Sequence, residues 1–180
     1  MKKQHIAVFC GSKSGKNPVY LHVARKTGET LAREGRTLLF GGCDYGLMQA
    51  VSHGAFEMGG KVISLRIRGL TDTFAPQIIA EDEMLENVQQ RKRRLIQRAD
   101  ACIALPGGLG TLDEMGDVYT MAQLGDLRRP LGILNVNGYF DGFLHFVETM
   151  HREGFLSDQD KGLIIVRDEI EALLAALDEA

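Results

Sequence analysis

One acidic side chain beside a glycine loop is the part of this sequence best equipped for chemistry. Glu114 follows the stretch Leu105-Pro106-Gly107-Gly108-Leu109-Gly110-Thr111-Leu112-Asp113. Gly107, Gly108 and Gly110 carry no Cβ, so the backbone there can approach a ligand closely. The apolar run Ala101 to Leu105 reads as a buried strand, and Leu112 to Gln123 reads as a helix. The free N–H groups that open such a helix favour an anion. Thr111 is the expected N-cap, and its hydroxyl can also reach a phosphate. The result is a phosphate cradle with a carboxylate within one helical turn. A purely structural reading competes with this one. Thr111-x-x-Glu114 fits a capping box, in which Glu114 reaches back to the Thr111 N–H. A carboxylate set among phosphate-binding groups costs electrostatic energy, however, and stabilising a developing cation would give it a purpose.

Arg91 is the second residue of interest. The periodicity predicts a helix over Met84 to Arg98, with Met84, Val88, Arg91 and Leu95 sharing one face. Arg91 interrupts that apolar stripe, where an arginine is costly unless it is paired or meets a ligand. The run Arg91-Lys92-Arg93-Arg94 is equally compatible with a solvated basic face.

Two more glycine loops follow strand-like runs. Gly11 to Lys16 comes after His5 to Cys10, and Gly41-Gly42 comes after Thr37 to Phe40. Three such loops suit a ligand lying across the carboxyl ends of strands, which makes Gly11, Ser12, Gly41 and Gly42 candidate binding positions. None has the GxGxxG dinucleotide spacing. Gly11-Ser12-Lys13-Ser14-Gly15-Lys16-Asn17 is one residue short of a P-loop and lacks the hydroxyl after its lysine. The five histidines show no metal-binding spacing, and no serine sits in a GxSxG elbow.

These residues need elements to hold them. A first helix is expected from Asn17-Pro18 to Glu34, with Asn17 as N-cap, and a second from Leu47 to Met58. A third strand runs from Lys61 to Leu65. Arg66 to Glu83 reads as an irregular loop suited to substrate selectivity, with a short strand at Gln77 to Ala80. After a turn at Gly125 to Pro130 come a strand at Leu131 to Val136 and a helix at Gly138 to Arg152. A last strand at Gly162 to Val166 precedes a helix at Asp168 to Leu177 with Asp168 as N-cap. This alternation argues for an α/β fold, a mostly parallel central sheet with helices on both faces. With 180 residues, positions 1–180 are expected to form one domain. The net charge of −3 gives no support for nucleic-acid binding. No apolar stretch is long enough to span a membrane, and no secretory signal follows Met1-Lys2-Lys3. Cys10, Cys43 and Cys102 read as free thiols, and a cytoplasmic location is expected.

Pro106-Gly107-Gly108-Leu109-Gly110-Thr111-Leu112-Asp113-Glu114 matches the PGGxGTxxE motif of the LOG ("Lonely Guy") family, and Arg91-Lys92 resembles its companion RK motif. Val8-Phe9-Cys10-Gly11-Ser12, Gly46-Leu47-Met48, Ala122-Gln123-Leu124-Gly125 and Leu134 to Tyr139 agree as well, so the resemblance spans nearly the whole chain. It implies a Rossmann-like three-layer fold. It also implies a phosphoribohydrolase that cleaves the N-glycosidic bond of cytokinin riboside 5′-monophosphates, and generally AMP, to free base and ribose 5-phosphate. Arg91 and Glu114 fall on the family's catalytic pair. Lys92, Gly107, Gly108, Gly110, Thr111 and Thr120 fall on substrate-binding positions. No cofactor and no metal are expected, and the family's members are homodimers or larger, with the site near the subunit interface. The methionines between Met115 and Met121 would suit such an interface, or equally the core.

The chemistry agrees with the resemblance. Breaking an N-glycosidic bond passes through an oxocarbenium-like state, whose charge a carboxylate can stabilise. Arg91 could bind phosphate or organise base and water. The chain departs from the family pattern at Gln49, at Ser64-Leu65-Arg66-Ile67, at Met121 and at Val88-Gln89-Gln90. These positions cluster where base and ribose are expected, and they leave the preferred base open. The competing class is a non-catalytic carrier of a nucleotide or of molybdenum cofactor on the same fold. A lysine decarboxylase, a label sometimes attached to the motif, would need a lysine for pyridoxal phosphate, and no lysine here is marked for it.

Overall fold

The computed structural model describes residues 1–69, 79–126 and 129–180. In chain order the elements are β1 (His5–Phe9), α1 (Val19–Arg33), β2 (Thr37–Phe40), α2 (Gly46–Glu57) and β3 (Val62–Ile67). Next come β4 (Glu81–Leu85), α3 (Val88–Arg98), β5 (Ala101–Ala104), α4 (Leu109–Leu124) and β6 (Leu131–Leu134). A 3-10 turn (Val136–Gly138), α5 (Asp141–Arg152), α6 (Asp158–Lys161), β7 (Ile164–Arg167) and α7 (Ile170–Glu179) complete the chain. The strands form one parallel sheet in the order β4-β3-β2-β1-β5-β6-β7. The strands near its centre read as continuous apolar runs because both faces are covered. Ile6, Val8, Leu38 and Phe40 meet α1, α2 and α7 on one face. Ala7, Phe9, Leu39 and Ile63 meet α3 and α4 on the other.

The strand order reverses between β1 and β5. β1 to β4 build outward one way, and β5 to β7 build outward the other. The loops leaving β1 and β5 therefore diverge and open a crevice at the carboxyl edge, the usual ligand position in such sheets.

Helices α1 and α2 are in backbone contact. A Cβ at Gly28 would overlap the Val51 carbonyl oxygen, and one at Gly54 would overlap that of Arg25. At the amino edge, the buried Arg36 donates Nη1 to Asp178 Oδ1 at 2.9 Å and Nη2 to Asp178 Oδ2 at 2.7 Å. Arg36 Nε also donates to Glu34 at 2.8 Å, and the Lys3 N–H donates to Asp178 at 2.7 Å. These bonds tie the start of β2 to the end of α7.

Several boundaries differ from the sequence reading. Met84 and Leu85 belong to edge strand β4, so α3 begins at Val88, capped by the Asn87 side chain. Met84 thus does not share a helical face with Arg91. β4 is strongly acidic, which hides it from a search for apolar alternation. Its charges are each satisfied: Asp82 bonds Ser64 and Arg66 on β3, while Glu81 and Glu83 bond Arg98 and Arg94 on α3. Of the strand expected at Gln77 to Ala80, Gln77 and Ile78 lie outside the described residues, as do positions 127–128 of the turn at Gly125 to Pro130. α1 begins at Val19 with Pro18 at the N-cap position, so Asn17 stands one residue before the cap, and its side chain accepts from the Val19 N–H. The helix expected from Gly138 begins at Asp141, because Asn137 and Gly138 both take left-handed backbone. β7 starts at Ile164 and α7 at Ile170, with Glu169 rather than Asp168 at its N-cap. Helix α6 was not expected; it rests on a capping box between Ser157 and Asp160.

Candidate active site

A cavity of about 440 Å³ lies at the carboxyl ends of β1 and β5. That volume is in the range of small-ligand sites. Gly11, Ser12 and Lys13 line one wall, and Pro106 to Thr111 line the other. Leu47 and Met48 of α2, Arg91 of α3, Glu114 of α4, Tyr20 and Tyr139 complete it. The two loops are fastened to each other, since the Gly11 N–H donates to the Pro106 carbonyl at 3.0 Å.

The glycine loop enters its helix earlier than the sequence suggests. α4 starts at Leu109, and the N-cap is Gly108, in extended backbone with no side-chain cap. Thr111 is therefore the third helical residue rather than the cap. No acidic residue occupies the first turn, so its positive end is left for an anion. Thr111 is buried, with its hydroxyl against Gly107. A Cβ at Gly107 would overlap Thr111 Oγ1 and come within 2.9 Å of the Gly11 nitrogen. Only glycine fits there. The Tyr139 hydroxyl donates to the Gly107 carbonyl at 2.5 Å, and the Tyr139 ring meets Tyr20 edge-on at 5.5 Å.

No capping box forms at Thr111. Glu114 lies beyond the first turn and accepts instead from Arg91, Nη2 to Oε1, at 3.0 Å. Both side chains are largely buried, 13% exposed for Arg91 and 5% for Glu114. Burial pushes the Glu114 carboxyl up to about 7, against the opposing pull of Arg91; Asp113 adds to the rise. Loss of hydration outweighs a single hydrogen-bonded cation here. Arg91 Nε is buried and has no hydrogen-bond partner among the described residues. Arg91 thus offers donor capacity beyond its bond to Glu114. The arginine is not on a solvated basic face.

Lys92, the next residue on α3, points elsewhere. It is 2% exposed and holds Asp113 at 2.8 Å and Asp117 at 2.9 Å. Burial works against its charge, but the two aspartates outweigh it and raise its pKa. Lys92 is thus a latch between α3 and α4, next to Arg91 in sequence, as its partner Asp113 is next to Glu114. Of the other expected binding residues, Gly11, Ser12, Gly107, Gly108, Gly110 and Thr111 line the cavity, whereas Lys92, Thr120, Gly41 and Gly42 do not. Thr120 is exposed on α4. Gly41 is close behind the cavity: a Cβ there would lie 3.1 Å from Arg91 Nη1. Cys10, Lys13, Tyr20, Met48 and Tyr139 line the cavity without having been expected. The segment Asn137-Gly138-Tyr139 was the available signal for Tyr139, as a turn beyond the strand next to β5. Of the methionines read as suiting either an interface or the core, Met115 is in the core and Met121, partly buried, packs against it.

Residues 48–177 match the family model described as possible lysine decarboxylase. The chain is 39% identical to cytokinin riboside 5′-monophosphate phosphoribohydrolase LOG7 of Arabidopsis thaliana, over 98% of this chain and 82% of that protein. It is 36% identical to the phosphoribohydrolase LOG of Oryza sativa subsp. japonica, over 98% and 73%. Among solved structures, the molybdenum cofactor carrier protein of Chlamydomonas reinhardtii superposes with a TM-score of 0.75 over 98% of this chain and 97% of that one, at 22% identity. The molybdenum cofactor binding protein of Rippkaea orientalis gives 0.74 over 99% and 98%, also at 22%. At that identity the likeness to the two carriers is one of fold. The relatives at 36–39% identity match the chain almost end to end, and this chain belongs to the LOG family.

Proposed function

We propose that this chain is a phosphoribohydrolase. It cleaves the N-glycosidic bond of a nucleoside 5′-monophosphate, cytokinin riboside 5′-monophosphate or AMP, to free base and ribose 5-phosphate. The observation that carries this reading is the buried Arg91–Glu114 pair facing a glycine-lined cavity. The 5′-phosphate is seated by the N–H groups and hydroxyl of Gly107, Gly108, Gly110 and Thr111, at the uncapped start of α4. Gly11 and Ser12 close over it from the β1 side. The ribose then lies against Glu114. As the C1′–N bond opens, the ring gains positive charge, which the Glu114 carboxylate stabilises. Water adds to C1′, the base takes the electron pair of the broken bond, and it also takes up the proton that the water gives up. A carboxyl near pH 7 is suited to relaying that proton. Arg91 keeps the carboxylate oriented and turns its remaining donors toward the substrate.

The decarboxylase description of the family model is not adopted for this chain. The relatives at 36–39% identity are named phosphoribohydrolases, Lys92 is held by Asp113 and Asp117 outside the cavity wall, and Lys13, which lines it, is an exposed loop residue. The proposed setting is the cytoplasm, where the free thiols Cys10, Cys43 and Cys102 stay reduced. The proposed assembly is a homodimer or larger. Leu109, 84% exposed at the cavity rim, and Leu112 on the next turn supply apolar surface for a subunit contact there. Light scattering on the eluting protein tests this, and a monomer at micromolar concentration would overturn it. The activity is tested with a panel of nucleoside 5′-monophosphates scored for free base and ribose 5-phosphate, with Glu114→Gln alongside. Release by wild type only is the expected result. A wild type that binds AMP yet cleaves no faster than the variant would make the chain a carrier.

A further inference from the structure

Gly41 and Gly42 follow β2 and lie between two arginines. On one side, a Cβ at Gly41 would lie 3.1 Å from Arg91 Nη1. On the other, a Cβ at Gly42 would overlap Arg66 Cγ and come within 2.9 Å of Arg66 Cδ. Gly42 has φ +76°, so its backbone and its surroundings both demand glycine. The stem of Arg66 therefore packs against Gly42, while the head of Arg91 rests near Gly41.

Arg66 is itself firmly held. It is buried on β3, and its Nε donates to Asp82 Oδ1 at 2.8 Å. Its Nη2 donates to the second Asp82 oxygen, and the buried Ser64 hydroxyl donates to the same carboxylate. Ser64 and Asp82 face each other in the β3–β4 register. A bidentate arginine–carboxylate pair fixes orientation as well as distance. Asp82 is kept below the usual carboxylate range chiefly by its bond from Arg66, so the pair stays charged near neutrality.

We propose that Arg66, clamped by Asp82 and Ser64, is a positioning residue. It braces the Gly41–Gly42 backbone from behind and so keeps Arg91 against Glu114. Ser64 and Arg66 stand where this chain departs from the family pattern, so the brace is a feature of this sequence. The inference deepens the phosphoribohydrolase reading and rests on it for its effect on turnover. The placement of Arg91 can be followed without any turnover.

The probe is Glu114, whose carboxyl faces Arg91 and Lys92 from α3, Asp113 and Asp117 from α4, Cys10 after β1, Cys43 after β2 and Cys102 on β5. The variants Arg66→Ala, Arg66→Met and Asp82→Asn substitute none of these. The Glu114 carboxyl is titrated by ¹³C NMR in each variant and in wild type. If the brace fails, Arg91 withdraws and the Glu114 midpoint rises by about half a unit to one unit. Asp82→Asn is the decisive case. Removing a negative charge through space alone would lower the Glu114 midpoint, whereas releasing Arg91 raises it. In AMP cleavage, kcat is expected to fall about 10- to 100-fold, with a smaller change in KM, and the acid limb of the kcat profile should move up with the titration. Arg66→Met keeps the stem and should retain more activity than Arg66→Ala. A Glu114 midpoint that is unchanged or lowered in Asp82→Asn, with circular dichroism as in wild type, overturns the brace. It does so also if Arg66→Ala fails to fold. A wild type that releases no base from any nucleotide sinks the functional reading instead, and the carboxyl titration still decides the brace.

Discussion

Arg36, which is buried, and Arg91, which is largely so, each meet a carboxylate, with opposite results. Arg36 grips Asp178 through two parallel bonds, and the Lys3 N–H adds a third donor to the same carboxylate. Asp178 is partly open to water, and its carboxyl is lowered to about 2, chiefly by Arg36. Arg91 meets Glu114 through one bond in a drier place, and the Glu114 carboxyl is raised to about 7. Arg36 has its capacity used up by protein, and its task is to close the amino edge of the sheet. Arg91 keeps a buried Nε without a partner among the described residues, and it stands at the carboxyl edge. On the proposed function, the difference is that of a pair built to hold and a pair built to react. Completing the hydrogen bonds lowers a carboxyl, whereas burying it with one partner leaves it poised near neutrality.

Substitutions at the two pairs should separate these roles. Glu114→Gln keeps the shape of the site and removes the ionisable group. Its kcat for nucleotide cleavage should fall about 10²- to 10⁴-fold, measured as ribose 5-phosphate released. Gly107→Ala forces Thr111 and the Gly11 loop apart, and kcat/KM should drop about 10- to 100-fold in the same assay. Asp178→Ala acts on the other pair. It should destabilise the fold by about 1–3 kcal/mol in urea titration, because Arg36 stays buried with Glu34 as its remaining acid. Cleavage well below the melting point should be unchanged. An effect of Asp178→Ala on kcat would erase the distinction.

The pH dependence of stability also distinguishes the pairs, because its sign differs between them. The folded state raises Glu114 from 4.5 to about 7, so it binds a proton more readily than the unfolded chain. Its contribution is therefore present below about pH 4.5 and is lost as pH rises toward 7. Asp178 is lowered from 3.8 to about 2, so its contribution is present above about pH 4 and is lost as pH falls toward 2. Urea midpoints followed from pH 2 to 8 should lose the upper slope in Glu114→Gln and the lower one in Asp178→Asn. A single slope shared by both variants would contradict the contrast.

Much of this was legible in the residues. The apolar runs at β1, β2, β5 and β6 announce strands covered on both faces, and the glycines after them announce tight turns. The cradle with Glu114 beside it follows from the order of residue types alone. Three things were hidden, each for a physical reason. β4 has the composition of a solvated segment, because it is a part-exposed edge strand whose acidic side chains pair with β3 and α3. Thr111-x-x-Glu114 satisfies a local capping rule, yet a partner 23 residues away in sequence, Arg91, takes the carboxylate instead. Lys92 looks like its neighbour Arg91 in sequence, but the helical turn of about 100° between them sends it to Asp113 and Asp117. In each case the outcome depended on a charge whose partner only the fold brings near.

The contact between α1 and α2 bears on how the site can move. With Gly28 against the Val51 carbonyl and Gly54 against that of Arg25, neither helix can slide or rotate past the other without collision. The start of α2 is in turn fastened to the β1 loop, the Leu47 N–H donating to the Gly11 carbonyl at 3.1 Å. That half of the crevice is accordingly a fixed anvil. Under the proposed function, the adjustment to a nucleotide falls to the opposite jaw, where Arg91 and Lys92 of α3 reach the acidic side chains of α4.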